Sequence, residues 1–212
     1  MPGRNEKRLL DASQLLITTM QARHLTSKDY QPMPWKNGQG STTQLVSAAN
    51  AQGGFDWRLS IAEVGQSGPF SDFSGYDRII TLIEGKGMIL TFNGTMRRRI
   101  DRPFAPLPFD GGWRTDCELI DGPLRDFNLM VLRRWGRASM EILQLRDDEK
   151  CEIGAAPVVL LHVFAGTASL DHGDTHFDLA RGDTLHLERP SESRLTAASD
   201  ATIAAIYLEP RS

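Results

Sequence analysis

Two stretches, ITLIEGKGMILTFNGTMRRRIDRPFAPLPF at 80–109 and LHVFAGTASLDHGDTHFDLARGDTLHLERP at 161–190, follow one plan about 80 residues apart. In each, an apolar strand stops at a glycine (Gly85, Gly166) and a second strand runs into a tight turn, FNG or HGD. A third strand follows, then Arg-Pro or Arg-Gly-Asp, then a last apolar strand. Asparagine and glycine at the turns supply the left-handed backbone that closes a hairpin. Repetition of a strand-turn-strand unit at this period predicts a duplicated small β-barrel.

Outward from the repeats, short apolar runs of period two, broken by Gly, Pro, Asn and Asp every 8 to 12 residues, recur from Gln14 to Leu208, which predicts an antiparallel all-β architecture. FDWRLSIAEV (55–64) sends Phe55, Trp57, Leu59 and Ile61 to one face and Asp56, Arg58 and Ser60 to the other. DRIITLIEG (77–85) and APVVLLHVFAG (156–166) are apolar on both faces, as strands covered on two sides must be. Helical periodicity is weak throughout; DASQ (11–14) and TSKDYQ (26–31) are the only candidate turns of helix. The strand-Gly-x-Gly-strand-turn-strand order is that of the cupin jelly roll, so the expected fold is a bicupin, two small antiparallel β-barrels packed together. A boundary near Gly136 to Lys150, where RDDEK (146–150) supplies a polar break, separates a first barrel over 1–140, carrying the candidate pocket, from a smaller one over 141–212 that borrows strands from the first.

A net charge of −3 and a pI near 6.0 lack the excess of cations that nucleic-acid backbones demand, so no nucleic-acid partner is expected. Arg97, Arg98 and Arg99 read as a solvated strand edge or turn. Cys117 and Cys151 stand far apart in no metal-like or redox-like spacing, which points to a reducing compartment. With no apolar leader in MPGRNEKRLLDASQ and no run approaching the ~20 apolar residues of a membrane span, a cytoplasmic protein without membrane contact is expected. Arginine outnumbers lysine 19 to 5. The guanidinium fork grips carboxylates, which suits acidic small ligands, although a GC-rich coding bias produces the same ratio.

A metal-binding cupin needs a His-x-His pair, a carboxylate and a later histidine facing one interior. The first half offers only His24, and in the second the turn Gly173-Asp174 puts His172 and His176 on opposite arms of a hairpin. No metal and no cofactor is therefore expected. No G-x-S-x-G elbow or Cys-His arrangement exists, and no catalytic residue is assigned; Lys36 as a Schiff-base lysine would require a desolvated setting. What remains is polar: the face of DWRLS, the loop PWKNG (34–38), Asp126 with Asn128, and Arg78 with Glu84. These read either as a ligand cavity inside the barrel or as a structural ion pair of Arg58 with Asp126 or Glu63. Micromolar binding requires about 8 kcal/mol and one charge-assisted hydrogen bond nets ~1.5–3 kcal/mol, so a ligand also needs an apolar wall, for which Trp35 and Trp57 are the candidates.

Assembled, MPWKNGQGSTTQL (33–45), FDWRLSIAEVGQSGPFSDFSGYDRIITLIEGKGMIL (55–90) and LIDGPLRDFNLMVLRR (119–134) resemble the HutD/Ves family of bicupins. The family reads glycine where this chain has Gln39, and the second half is similar only in layout. The resemblance implies a two-barrel homodimer without established enzymatic activity. It further implies a role in governing histidine and urocanate breakdown by sensing a small acidic intermediate, of the urocanate or formyl- or formiminoglutamate type. Mapped by motif, the ligand residues implied are Trp35, Lys36, Asn37, Arg58, Ser60, Glu84 and Asn128, with PWKNG as a lid or rim over a pocket floored by Arg58. The competing expectation is a cupin isomerase, lyase or hydrolase acting on a small carboxylate, with Lys36 or Glu84 moving the proton.

Overall fold

A computed structural model describes residues 21–35, 38, 40–190 and 193–211; the DASQ turn, Lys36, Asn37 and Gln39 lie outside the described residues. The alternating stretches form β1 (Gln21–Leu25), β2 (Gln31–Pro34), β3 (Gly40–Ala49), β4 (Phe55–Val64), β5 (Gly68–Pro69), β6 (Tyr76–Glu84), β7 (Met88–Phe92), β8 (Met96–Ile100), β9 (Leu107–Asp110) and β10 (Thr115–Leu119). They continue as β11 (Leu124–Leu132), β12 (Gly136–Leu145), β13 (Lys150–Ile153), β14 (Val158–Ala165), β15 (Ala168–His172), β16 (Thr175–Leu179), β17 (Thr184–Glu188), β18 (Ser193–Ala197) and β19 (Ala201–Pro210). No helix occurs among the described residues, and none is therefore long and apolar enough to cross a membrane.

The strands pair into four antiparallel sheets. A six-stranded sheet, β2-β3-β4-β11-β6-β9, faces a four-stranded one, β5-β10-β7-β8, around a shared core of Ile80, Leu82, Leu90, Phe92 and Cys117. A five-stranded sheet, β1-β17-β14-β19-β12, faces β13-β18-β15-β16 around Leu161, Leu170, Leu185, Leu195 and Ile203. The repeat is visible in the topology. In the first barrel β7 and β8 form a hairpin in one sheet while β9 returns to β6 in the other, and β15, β16, β17 and β14 do the same in the second. Gly166 ends β14 at φ +74, and a Cβ there would sit 2.1 Å from the Asp200 carbonyl oxygen, so only glycine allows that approach. Gly85 ends β6 at φ +101 in the matching position.

The halves interleave. β1 pairs along its length with β17, and position 140 falls inside β12, all ten residues of which pair with β19. The larger sheets of the two barrels also pack on each other. Trp57, Leu59, Phe127, Leu129 and Val131 from the first meet Leu160, Ala204, Ile206 and Leu208 from the second. This explains why β6 and β11 are apolar on both faces: one face fills the first barrel and the other covers the second.

Candidate functional site

Alternation along β4, β6 and β11 sends their even-numbered residues into the first barrel. Register then lays them out in rows. Arg58, Met130, Arg78 and Phe109 are successive neighbours across β4, β11, β6 and β9; Ser60, Asn128 and Ile80 form the next row, and Ala62, Asp126 and Leu82 the one after. Arg78, Asp126, Asn128 and Ser60 are all buried, and Arg58 is half-buried.

The buried groups are linked. Arg78 Nη2 donates to Asn128 Oδ1 at 2.8 Å, and Asn128 Nδ2 donates to Asp126 Oδ1. Among the described residues Arg58 Nη2 reaches the Met130 thioether, at 3.3 Å. Among the described residues, three polar atoms of this group find no hydrogen-bonding partner although they are buried: Nε of Arg58, Nε of Arg78 and Oδ2 of Asp126. Aromatic rings take up the rest of the guanidinium surfaces. Arg58 lies 4.6 Å from the Phe55 centroid and 5.3 Å from Phe73, and Arg78 lies 4.8 Å from Phe109, 5.3 Å from Phe70 and 5.6 Å from Phe73. Phe70 and Phe73 come from the loop after β5, fixed by hydrogen bonds from their backbone N–H groups to the carbonyls of Thr115 and Gly111.

Burial dominates the electrostatics. It pushes the Asp126 carboxyl up to about 7 against the opposing pull of the Arg78 guanidinium and the Asn128 amide. It pushes Arg78 down to about 10, with Arg58 adding like-charge repulsion against the attraction of Asp126. Arg58 is lowered by the same cause. Two guanidiniums thus face one half-neutralised carboxyl, and the interior carries surplus positive charge.

The residues expected from sequence divide. Arg58, Ser60 and Asn128 share the interior face. Arg58 pairs with neither candidate carboxylate; Glu63 instead lies 3.7 Å from Arg125, and the cation nearest in effect to Asp126 is Arg78. Trp35 sits at the other end of the barrel, beside Gly40, whose strand partner Val64 is six positions from Arg58 on β4, about 20 Å at strand rise. Its ring packs on Gly40 so closely that a Cβ there would be 2.8 Å away, and its Nε1 donates to Thr42 Oγ1 at 2.9 Å. Beneath it the barrel is filled by Val64, Leu82, Met88 and Leu124, so Trp35 walls an apolar end rather than roofing Arg58. Glu84 is exposed and pairs with Arg125 Nη1 at 3.3 Å, on the rim of the same end. Trp57 is buried on the opposite face, against the second barrel, edge-on to His186 at 5.4 Å. Lys36 and Asn37 lie outside the described residues. Sequence reasoning left Phe70, Phe73 and Phe109 out; the clustered phenylalanines of GPFSDFSGY were the available signal for the first two, but a loop has no periodicity to say which way they turn, and Phe109 lies on the short strand β9.

The HGDTH histidines part as the hairpin dictates. His172 pairs in register with Thr175 and bonds to Ser193 Oγ at 2.8 Å, while His176 bonds to Asp171 at 2.6 Å and Asp178 at 3.2 Å. Among the described residues no three His, Cys, Asp or Glu side chains converge to hold a metal ion.

Comparison with known proteins bears on family and fold. The HutD family model matches residues 27–205. The chain belongs to the HutD family. HutD from Pseudomonas fluorescens SBW25, solved in a formate condition, is 33% identical, superposes with a TM-score of 0.77, and is matched over 91% of this chain and 100% of its own. A 21.2 kDa protein of Pseudomonas putida, named for its place in the hutC 3′ region, is 42% identical over 122 residues, which span 57% of this chain and 64% of that relative. The bacterial pirin YhhW of Escherichia coli, solved with nickel(II), is only 12% identical over 91% of this chain and 100% of its own, yet superposes with a TM-score of 0.67. That likeness is one of fold alone. The cupin architecture expected from the repeat is the architecture of this HutD-family chain.

Proposed function

We propose that this HutD-family protein is a cytoplasmic, non-catalytic regulator of histidine utilisation that binds a small acidic pathway intermediate inside its first barrel. The observation that carries the reading is the pair of arginines, Arg58 and Arg78, each with a buried Nε lacking a partner among the described residues. A buried, unpaired donor costs about 1–3 kcal/mol, more when charged, and the aromatic rings around the guanidiniums offset that cost only in part, since they offer no acceptor to Nε. A ligand carboxylate lying between the two guanidiniums would supply that acceptor. Asn128 and Ser60, one row deeper, would read the ligand's polar end, and Phe55, Phe73 and Phe109 would flank its apolar stem. Urocanate, N-formylglutamate and formiminoglutamate fit this description. A homodimer, as the family resemblance implies, is part of the same proposal.

Calorimetric titration of the full chain with these three acids tests it. At least one is expected to bind, and Arg58→Ala or Arg78→Gln to weaken that binding roughly tenfold or more, the loss of one charge-assisted hydrogen bond. Binding of none, or equal binding by both variants, removes the reading. A second reading, a cupin enzyme on the same acids, is favoured by one observation: the Asp126 carboxyl, raised to about 7, is poised for proton transfer. It moves the acid–base role from the exposed Glu84 to Asp126. Chromatography of the titrated ligands after prolonged incubation separates the two readings, since turnover lost in Asp126→Asn would convert the receptor into an enzyme.

A further inference from the structure

We propose a second ligand site in the cleft between the two barrels, built for a small aromatic carboxylate carrying a hydrogen-bond donor at its far end. Where β6 and β14 end, a cleft of about 490 Å³ lies between the six- and five-stranded sheets, a size that suits a small organic ligand. Both barrels supply its walls: Leu45, Ile61, Ile83 and Phe104 from the first, His162 and Phe164 from the second. Aromatic rings cluster along this wall in tilted, edge-on and stacked pairs, a surface suited to an aromatic guest. Phe164 lies 5.2 Å from Phe104 and 4.8 Å from Phe127, and His162 stacks on Phe127 at 5.1 Å. Phe104 holds φ +60, a backbone region that a bulky side chain adopts only when the surroundings impose it.

The polar groups fix which end of the ligand goes where. Tyr30 Oη stands 2.5 Å from the Gly182 carbonyl, which can only accept, so Tyr30 donates there. Thr184 Oγ1, 2.8 Å from Tyr30 Oη, therefore donates to it, and His162 Nδ1, 2.9 Å from Thr184 Oγ1, must in turn be the donor. The relay leaves Nε2 of His162 as a lone pair without a partner among the described residues, in a ring that lines the cleft. Burial keeps this imidazole neutral, its pKa pushed down to about 3. An O–H or N–H on the ligand satisfies that acceptor. At the mouth, Arg125 is shared between Glu63 and Glu84, whereas Arg181, also lining the cleft, has no ion pair among the described residues. Arg181 is thus the surplus cation for a carboxylate. This site is separate from the first, because Arg58 and Arg78 lie on the other face of the six-stranded sheet.

Methyl-labelled protein titrated with 4-hydroxyphenylacetate, phenylacetate and 4-ethylphenol tests the assignment by nuclear magnetic resonance. 4-Hydroxyphenylacetate is expected to shift the Ile61 and Ile83 methyls, phenylacetate to bind severalfold more weakly, and 4-ethylphenol, without the carboxylate, roughly tenfold more weakly. Arg181→Ala, an exposed change, should leave the free spectrum intact and abolish the advantage of 4-hydroxyphenylacetate over 4-ethylphenol. Three results overturn the proposal: no methyl shift up to about 10 mM ligand, full affinity in Arg181→Ala, or binding that disappears with Arg58→Ala, which would assign the ligand to the barrel interior instead.

Discussion

Asp126 is the residue on which the chemistry of the first barrel turns. Its carboxyl is buried, bonded through one oxygen to Asn128, and left with the other oxygen unpartnered. Its folded pKa, about 7, stands above the ordinary value of 3.8. Between those two values the folded protein binds a proton that the unfolded chain has released, so stability falls as pH rises from about 4 to about 7 and is level above. His162 works the other way: its folded pKa is below its ordinary 6.5, so its contribution is lost as pH falls from 6.5 towards 3. The two oppose each other over the overlap, and only a difference measurement isolates either. Denaturant midpoints of wild type and Asp126→Asn, compared from pH 4 to pH 8, should diverge in favour of the variant as pH rises and become parallel above 7. A constant difference across that range would show that Asp126 ionises freely.

At the scale of the strand, period-two alternation decides which face a side chain takes, and here it served well. It put Arg58 and Ser60 on the face opposite Trp57 and Leu59, and the same logic on β6 and β11 collects Arg78, Asp126 and Asn128 beside them. Alternation is silent about position along the barrel axis. That is set by register and by bulges, such as those at Gln44/Val46 and Arg125/Asp126, which no single strand announces. For this reason Trp35 and Glu84, grouped with Arg58 by motif, stand at the far end. Trp57, by contrast, is placed by alternation itself: it lies on the face opposite Arg58, and that face meets the second barrel. The PWKNGQG stretch has its own rule: Gly40 must lack a side chain because Trp35 lies against it and the Glu63 carbonyl oxygen would be 2.3 Å from a Cβ. Gly40→Ala should therefore cost roughly 1–3 kcal/mol, read as a lowered midpoint in thermal unfolding with altered Trp35 emission. An unchanged midpoint would mean that β2 and β3 part freely and that the tryptophan is not fixed.

For the molecule as a whole, the two barrels have different interiors and hence different work to do. The first mixes aliphatic side chains with two guanidiniums, an amide and a carboxyl, whereas the second is filled by an apolar cluster from Leu161 and Val163 through Leu195 to Ala205, with buried Ser193 bonded to His172 and no buried charge in that interior among the described residues. A filled barrel contributes stiffness and a surface. That surface is the outer face of the five-stranded sheet, where Leu160, Ala204, Ile206 and Leu208 are fully buried only because the first barrel covers them. The covering is reciprocal, and β1 adds to it by closing the edge of β17 from a position ahead of every first-barrel strand. The sequence pointed to two units and to strands borrowed by the second, but not to the shared face, because an apolar run reads the same whether its second face meets its own core or a neighbour's. A fragment of residues 136–211 would expose that face and an unpaired β17 edge together, conditions under which sheets associate edge to edge and face to face. It is expected to elute as oligomer or aggregate in size-exclusion chromatography with light scattering. A monomeric fragment with a sharp thermal transition would instead establish the second barrel as independent and leave the shared face without a role in stability.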